Sequence, residues 1–279
     1  MNQTIFLMLG LLGLVGIGSL VASNDDDHAP EDPGDPYGDR ELIEGTDEAE
    51  TIAGTAGDDA IQSYDGNDSV DAGAGDDLVW TGYGDDSVSA DAGDDEIYLG
   101  YGDDLYGAED DGAAEGDDTI DGGYGDDSIT TNLGNHAITG GDGDDTITDN
   151  GGTVSIDGEE DDDLILSPDD SVADAPDTLL GGDGNDTIHA GANDLVDGGD
   201  GDDSYMLSSE AGGAAVITYS TDDTITITLA EGYAGEGDYT LEQDGDDVQV
   251  LLDGNAVAVL RDTLVDAVGT IDVVSATAT

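Results

Sequence analysis

Gly122-Gly123-Tyr124-Gly125-Asp126-Asp127-Ser128-Ile129-Thr130 returns as Gly140-Gly141-Asp142-Gly143-Asp144-Asp145-Thr146-Ile147-Thr148 and again as Gly198-Gly199-Asp200-Gly201-Asp202-Asp203-Ser204-Tyr205-Met206. Followed outward from these copies, a nine-residue period runs from Gly45 to Met206 in three blocks of seven, six and four units. The blocks begin at Gly45, Ala113 and Val172 and are separated by five-residue inserts at Ala108–Gly112 and Ser167–Ser171. The eighth position of each unit is apolar, from Ile52 and Ile61 through Ile129 and Ile147 to Val196 and Tyr205.

One apolar residue in nine fits neither an amphipathic helix nor an alternating strand, and glycine every few positions disfavours helix further. Repetition at a fixed short period is the mark of a solenoid. Each unit reads as a three-residue strand at positions seven to nine, with one side chain, the eighth, pointing inward. A six-residue turn follows, whose glycines allow positive φ and close backbone approach. Two units close one coil.

Coils stacked at the strand spacing of about 4.8 Å bring the acidic residues of position six into columns of like charge. Two carboxylates at that distance oppose each other by about 0.9 kcal/mol in water and about 3.5 kcal/mol at an effective dielectric of 20. A cation between them is therefore expected. With carboxylates and turn carbonyls as donors, no cysteine and three histidines, the chemistry selects a hard cation, and calcium tolerates a crowded oxygen shell better than magnesium. An EF-hand loop is excluded, because its Asp-x-Asp/Asn-x-Asp/Asn-Gly run does not occur.

The units resemble the haemolysin-type calcium-binding nonapeptide (RTX) repeat, with its pattern Gly-Gly-x-Gly-x-Asp-x-apolar-x. The resemblance covers well over half of the chain. It implies an all-β fold, a parallel β-roll, with ions held between turns by backbone carbonyls and the position-six aspartates. Carried over residue by residue, that role falls on Asp59, Asp68, Asp77, Asp86, Asp95, Asp104, Asp118, Asp127, Asp145, Asp163, Asp177, Asp186 and Asp203.

Glu50, His136 and Val154 replace the aspartate of position six, and the unit at Ala190 is one residue short, which displaces Asp194. Sites in a roll join units two apart. The intact pairs are Asp59 with Asp77, Asp77 with Asp95, Asp68 with Asp86, Asp86 with Asp104, Asp127 with Asp145, Asp145 with Asp163, and Asp186 with Asp203. The expected load is roughly seven to eleven calcium ions. In the middle block, Asp118, His136 and Val154 predict an ion-poor side, and Asp127, Asp145 and Asp163 an ion-rich one.

The 279 residues carry 71 acidic side chains against two basic ones, Arg40 and Arg261, for a formal charge of −69. Repulsion of that size excludes nucleic acid and anionic surfaces as partners. It also expands the ion-free chain, so that cation binding and folding become one event. Extracellular calcium modules bind at about 10⁻⁴ to 10⁻³ M, which suits folding after export to the cell surface or beyond.

Residues 1–23 contain the apolar run Ile5–Ala22, readable as a signal peptide cleaved near Val21-Ala22-Ser23 or as a segment that contacts or spans the membrane. Residues 24–44 read as a stiff acidic linker with Pro30, Pro33 and Pro36, and His28 as an exposed linker residue. Residues 45–206 are the repeats. Residues 207–279 read as a small antiparallel β domain that covers the last coil. Its strand signals are Thr224–Leu229 and Val248–Leu252, and Asp253-Gly254 leads as a hairpin turn into Val257–Leu260. The resemblance adds an export signal near its end, in Val268–Thr279.

Trp80 and Tyr98 lie eighteen residues apart at position nine, and Tyr83 and Tyr101 do so at position three, so both pairs stack on an outer face. Cross-strand stabilisation is the plain reading, and a strip for an extracellular polysaccharide is the alternative. His136 reads as a turn residue and His189 as an exposed strand residue. No His-Glu-x-x-His, Gly-x-Ser-x-Gly or Walker loop occurs, so no enzyme is expected. A carboxylate-based polysaccharide-modifying site is the more distant alternative.

Overall fold

A computed structural model describes residues 37–107, 116–167, 176–209 and 213–275. Segment 1–23, most of the acidic linker, the first insert with residues 113–115, the second insert after Ser167 with residues 172–175, and residues 210–212 and 276–279 lie outside the described residues, so the readings placed there carry no structural account. Among the described residues no helix is long and apolar enough to cross a membrane.

Units of the array alternate between two parallel sheets. The first sheet takes Glu41–Glu44, Asp59–Gln62, Leu78–Tyr83, Glu96–Tyr101, Thr119–Tyr124, Ala137–Asp142, Ser155–Glu160, Thr178–Asp183 and Leu195–Asp200. The second takes Thr51–Ala53, Ser69–Asp71, Ser87–Ser89, Leu105–Tyr106, Ser128–Thr131, Thr146–Asp149, Leu164–Ser167, Thr187–Ala190 and Ser204–Ser208. Each strand pairs with the strand two units away, as the two-unit coil requires. This is a parallel β-roll.

Register follows the apolar eighth position. In the second sheet Tyr106, Ile129, Ile147, Ile165, Ile188 and Tyr205 are successive partners. In the first sheet Ile97, Ile120, Ile138, Ile156, Leu179 and Val196 are. A one-residue slip would turn a whole ladder outward, so the register is strongly specified. These residues form one continuous buried cluster, each adding about 1.5–3 kcal/mol of burial.

More than one side chain per unit faces inward, against the expectation from the nonamer. Strand alternation continues past position nine into position one of the next unit, so Ser128-Ile129-Thr130-Thr131 runs half-buried, buried, half-buried, buried. Position one is thus an interior position. The glycines at positions two and four serve the tight stacking. Gly141 and Gly143 have φ of 123° and 133°, and a Cβ on Gly143 would press on the backbone of Gly125 one coil back.

Both ends of the roll differ from the expectation. Glu41–Glu44, in the stretch read as linker, already pairs with Asp59–Gln62, because a roll needs a strand under its first repeat whatever that strand's sequence. At the other end Ala215–Thr218 and Asn255–Arg261 continue the first sheet in parallel, and Thr224–Leu229 and Ile271–Ser275 continue the second. The antiparallel part is the meander of Tyr239–Asp244, Asp247–Leu252 and Asn255–Arg261. It grows out of the first sheet and buries Val248, Val250 and Leu252 in the common core.

Candidate metal centre

Turns leading from the first sheet to the second line one edge of the roll, here the first edge, and turns leading back line the second. Position six places Asp68, Asp86, Asp104, Asp127, Asp145, Asp163, Asp186 and Asp203 on the first edge. Asp59, Asp77, Asp95, Asp118, His136, Val154, Asp177 and Asp194 follow on the second. All of the aspartates are buried, at 4% exposure or less.

A single contact orders each column. The backbone N–H of Asp127 donates to Oδ1 of Asp145 at 2.8 Å, that of Asp145 to Oδ1 of Asp163 at 2.9 Å, and that of Asp163 to Oδ1 of Asp186 at 2.9 Å. The second edge repeats it from Asp59 to Asp77 and from Asp77 to Asp95, both at 2.7 Å. The first insert leaves the contact intact, for the N–H of Asp104 reaches Oδ1 of Asp127 at 2.8 Å, 23 residues onward instead of 18. Extra residues between coils are accommodated without loss of register.

The second carboxylate oxygen is the chemically open group. Oδ2 of Asp68, Asp77, Asp86, Asp104, Asp127, Asp145, Asp163, Asp186 and Asp203 is buried without a hydrogen-bond donor, as is Oδ1 of Asp59. A buried, unpartnered carboxylate oxygen is strongly disfavoured unless it is protonated or meets a cation. Burial accordingly pushes Asp95, Asp104, Asp127 and Asp145 up to about 7 and Asp163 to about 8, with the neighbouring carboxylates adding to the rise and the N–H contact opposing it. Asp77 and Asp186 rise to about 6 for the same leading reason.

Position one supplies room. A Cβ placed on Gly122 would lie 2.6 Å from Oδ2 of Asp127, and one on Gly140 would lie 2.8 Å from the carbonyl oxygen of Gly158 and closer still to Oδ2 of Asp145. A bare glycine thus keeps open a cradle bordered by an acidic oxygen and a main-chain carbonyl. Among the described residues no three His, Cys, Asp or Glu side chains gather around one point, so a cation shell here draws on backbone carbonyls as well as carboxylates. All-oxygen, anionic and buried, the donor set fits a hard divalent ion.

Around the irregular units the chain's own groups meet the carboxylates instead. The N–H of Asp118 donates to Nδ1 of His136 at 3.2 Å, and Nδ1 lies 3.3 Å from Oδ2 of Asp118. His136, the last turn residue before Ala137–Asp142, is 3% exposed and stands in the column at position six, where its place in the repeat puts it. Thr131 donates to Asp149, and Ser167 to Oδ2 of Asp177 at 2.7 Å. Val154 sits buried with its N–H on Oδ1 of Asp177. His189 is half-buried on Thr187–Ala190, where burial lowers its pKa.

Two column members escaped the nonamer pattern. Asp194, in the short unit, accepts the N–H of Asp177 at 3.0 Å and that of Gly191 at 2.7 Å, because a shorter turn still delivers its carboxylate to the stack. Asp223, beyond the array, accepts the N–H of Asp203 at 3.3 Å and that of Ser220 at 2.6 Å. The Thr-Asp-Asp before the strand at Thr224 carried that signal.

On the outer face, Trp80 and Tyr98 stack with centroids 6.0 Å apart and planes 8° apart, with Tyr37 edge-on to Trp80. Tyr83, Tyr101 and Tyr124 form a ladder at 4.6 Å per step. Tyr124 was hidden from sequence reading by the insert that precedes it.

Fold and columns together define a repeat protein built to hold cations between the turns of a parallel β-roll. The family model of the RTX calcium-binding nonapeptide repeat matches residues 44–79, 80–111, 113–135, 139–167 and 173–205, more than half of the chain, and the chain belongs to that family. No curated protein matches it at a significant level.

Proposed function

We propose that this protein is a calcium-folded structural or binding module that works at or outside the cell surface. The observation that carries the reading is the file of buried aspartate oxygens that no protein group satisfies. Asp127, Asp145, Asp163 and Asp186, with Asp59 and Asp77 on the opposite edge, are the residues assigned to hold the ions, together with turn carbonyls. Bound calcium supplies positive charge where like charges are stacked. At cytosolic calcium the carboxylates repel and the chain stays expanded. At the millimolar levels outside the cell the columns are neutralised and the two sheets close. Export before folding follows from that difference.

The buried carboxylates are committed to backbone N–H groups of the preceding coil, which suits a structural part better than catalytic acids and bases. The aromatic rings stack on one another from coil to coil along the outer face, which favours cross-strand stabilisation over a polysaccharide platform. The test is a calcium titration of the full chain followed by far-ultraviolet circular dichroism and small-angle scattering. Conversion of an expanded coil to a compact β form on adding calcium is the expected result. A chain equally compact and β-rich in excess chelator would refute the reading.

A further inference from the structure

Nine first-edge and second-edge aspartates keep a buried Oδ2 without a donor, yet the residue beside that oxygen differs from coil to coil. We infer that position one, rather than the aspartate of position six, decides which turns of the first edge take an ion. The inference rests on the calcium reading above and concerns which of its sites are open.

At Gly122, Gly140, Gly158 and Gly181 the Cβ point lies under 3.0 Å from Oδ2 of the unit's own aspartate and under 3.0 Å from the position-one carbonyl one coil on. Acidic oxygen and carbonyl border the same space, and only a Cα hydrogen intrudes. In the first block the corresponding residues are Ser63, Thr81 and Leu99, each fully buried. The Ser63 hydroxyl donates to the Thr81 carbonyl at 2.8 Å, and the Thr81 hydroxyl donates to the Leu99 carbonyl. The carbonyl that borders the cradle in the glycine units is here already bonded by a protein hydroxyl, and the side chain fills the space. On the third of these coils position one carries Leu99, whose side chain packs in the hydrophobic core. Asp68, Asp86 and Asp104 are therefore intact at position six and closed to calcium.

The last glycine unit is closed differently. Gly198 and Asp203 are both present, but the Tyr205 hydroxyl lies 2.7 Å from the Cβ point of Gly198. It accepts the Gly198 N–H at 3.1 Å and donates to the Thr218 carbonyl at 3.0 Å. A phenol at position eight, where most units carry isoleucine, valine or leucine, puts a neutral oxygen in the cradle and ends the ion file. What remains open on this edge is one contiguous run: Asp127, Asp145, Asp163 and Asp186. The sequence-level pairs Asp68 with Asp86 and Asp86 with Asp104 drop out.

Equilibrium dialysis of the full chain against calcium alone, at saturating free calcium, counts the ions, with circular dichroism confirming the β form. Thr81→Gly, which copies the residue found in the open coils, gains one calcium per chain. Tyr205→Phe gains one, and Gly158→Ser loses one. If Gly158→Ser fails to fold, the two gain-of-ion variants decide. A wild-type chain that binds no calcium overturns the calcium reading itself. A wild-type chain that binds calcium, with Thr81→Gly and Tyr205→Phe folded and unchanged in count, overturns the position-one rule and leaves the calcium reading standing.

Discussion

Asp145→Asn should change the stability of this protein in opposite directions with and without calcium. Asparagine keeps the Oδ1 that accepts the Asp127 N–H at 2.8 Å, so the column geometry survives and only the charge at the unpartnered oxygen is lost. In calcium the variant forfeits an ion. At a free concentration about 100 times the dissociation constant, one lost site costs about 2.7 kcal/mol. In chelator the variant instead relieves repulsion from Asp127 and Asp163, one coil away on either side. At the strand spacing of about 4.8 Å each neighbour contributes about 0.9 to 3.5 kcal/mol, so the gain is about 2 to 7 kcal/mol. Because burial holds Asp145 up to about 7, the comparison belongs at about pH 8.5, where it is ionised. Thermal melts by circular dichroism in about 10 mM calcium and in chelator provide the readout. The variant should melt lower than wild type in calcium and keep more β signal than wild type in chelator. A shift of the same sign in both, or none in calcium, would refute the account of the columns.

Three further outcomes follow from the same coordinates. Without ions, the raised aspartates bind more protons folded than unfolded between the ordinary value of 3.8 and their folded values of about 6 to 8. Stability therefore falls as pH rises through that window, and the chelated chain should regain β signal on acidification from pH about 8 to about 5. Ile147→Ala, at a fully buried rung of the second sheet, should cost about 2–5 kcal/mol in calcium by chemical denaturation, because the stacked coils leave a cavity that cannot collapse. Tyr101→Ala, in the middle of the three-ring ladder, should cost about 1–3 kcal/mol for two lost stacks and leave the calcium count unchanged in dialysis.

The sequence by itself determined the period, and the period determined most of the fold. With Ile129, Ile147 and Ile165 eighteen residues apart, a two-unit coil and a parallel register leave little choice, since any slip exposes the whole ladder. The position-six aspartates were equally legible, because a like-charge column needs compensation wherever it is built. What only the tertiary structure decided lies where residues meet across coils. The nonamer does not say that Thr81 reaches the carbonyl of Leu99, that the hydroxyl of Tyr205 stands in the cradle of Gly198, or that Nδ1 of His136 accepts the N–H of Asp118 in place of a carboxylate oxygen. Nor does it say that Asp194 and Asp223 rejoin the column from irregular turns, or that the chain after Met206 continues both sheets. Spacing along the chain fixes which positions face one another, while the fate of a buried oxygen depends on the few atoms that close packing brings within hydrogen-bond reach of it, and those come from coils that the local pattern treats as alike.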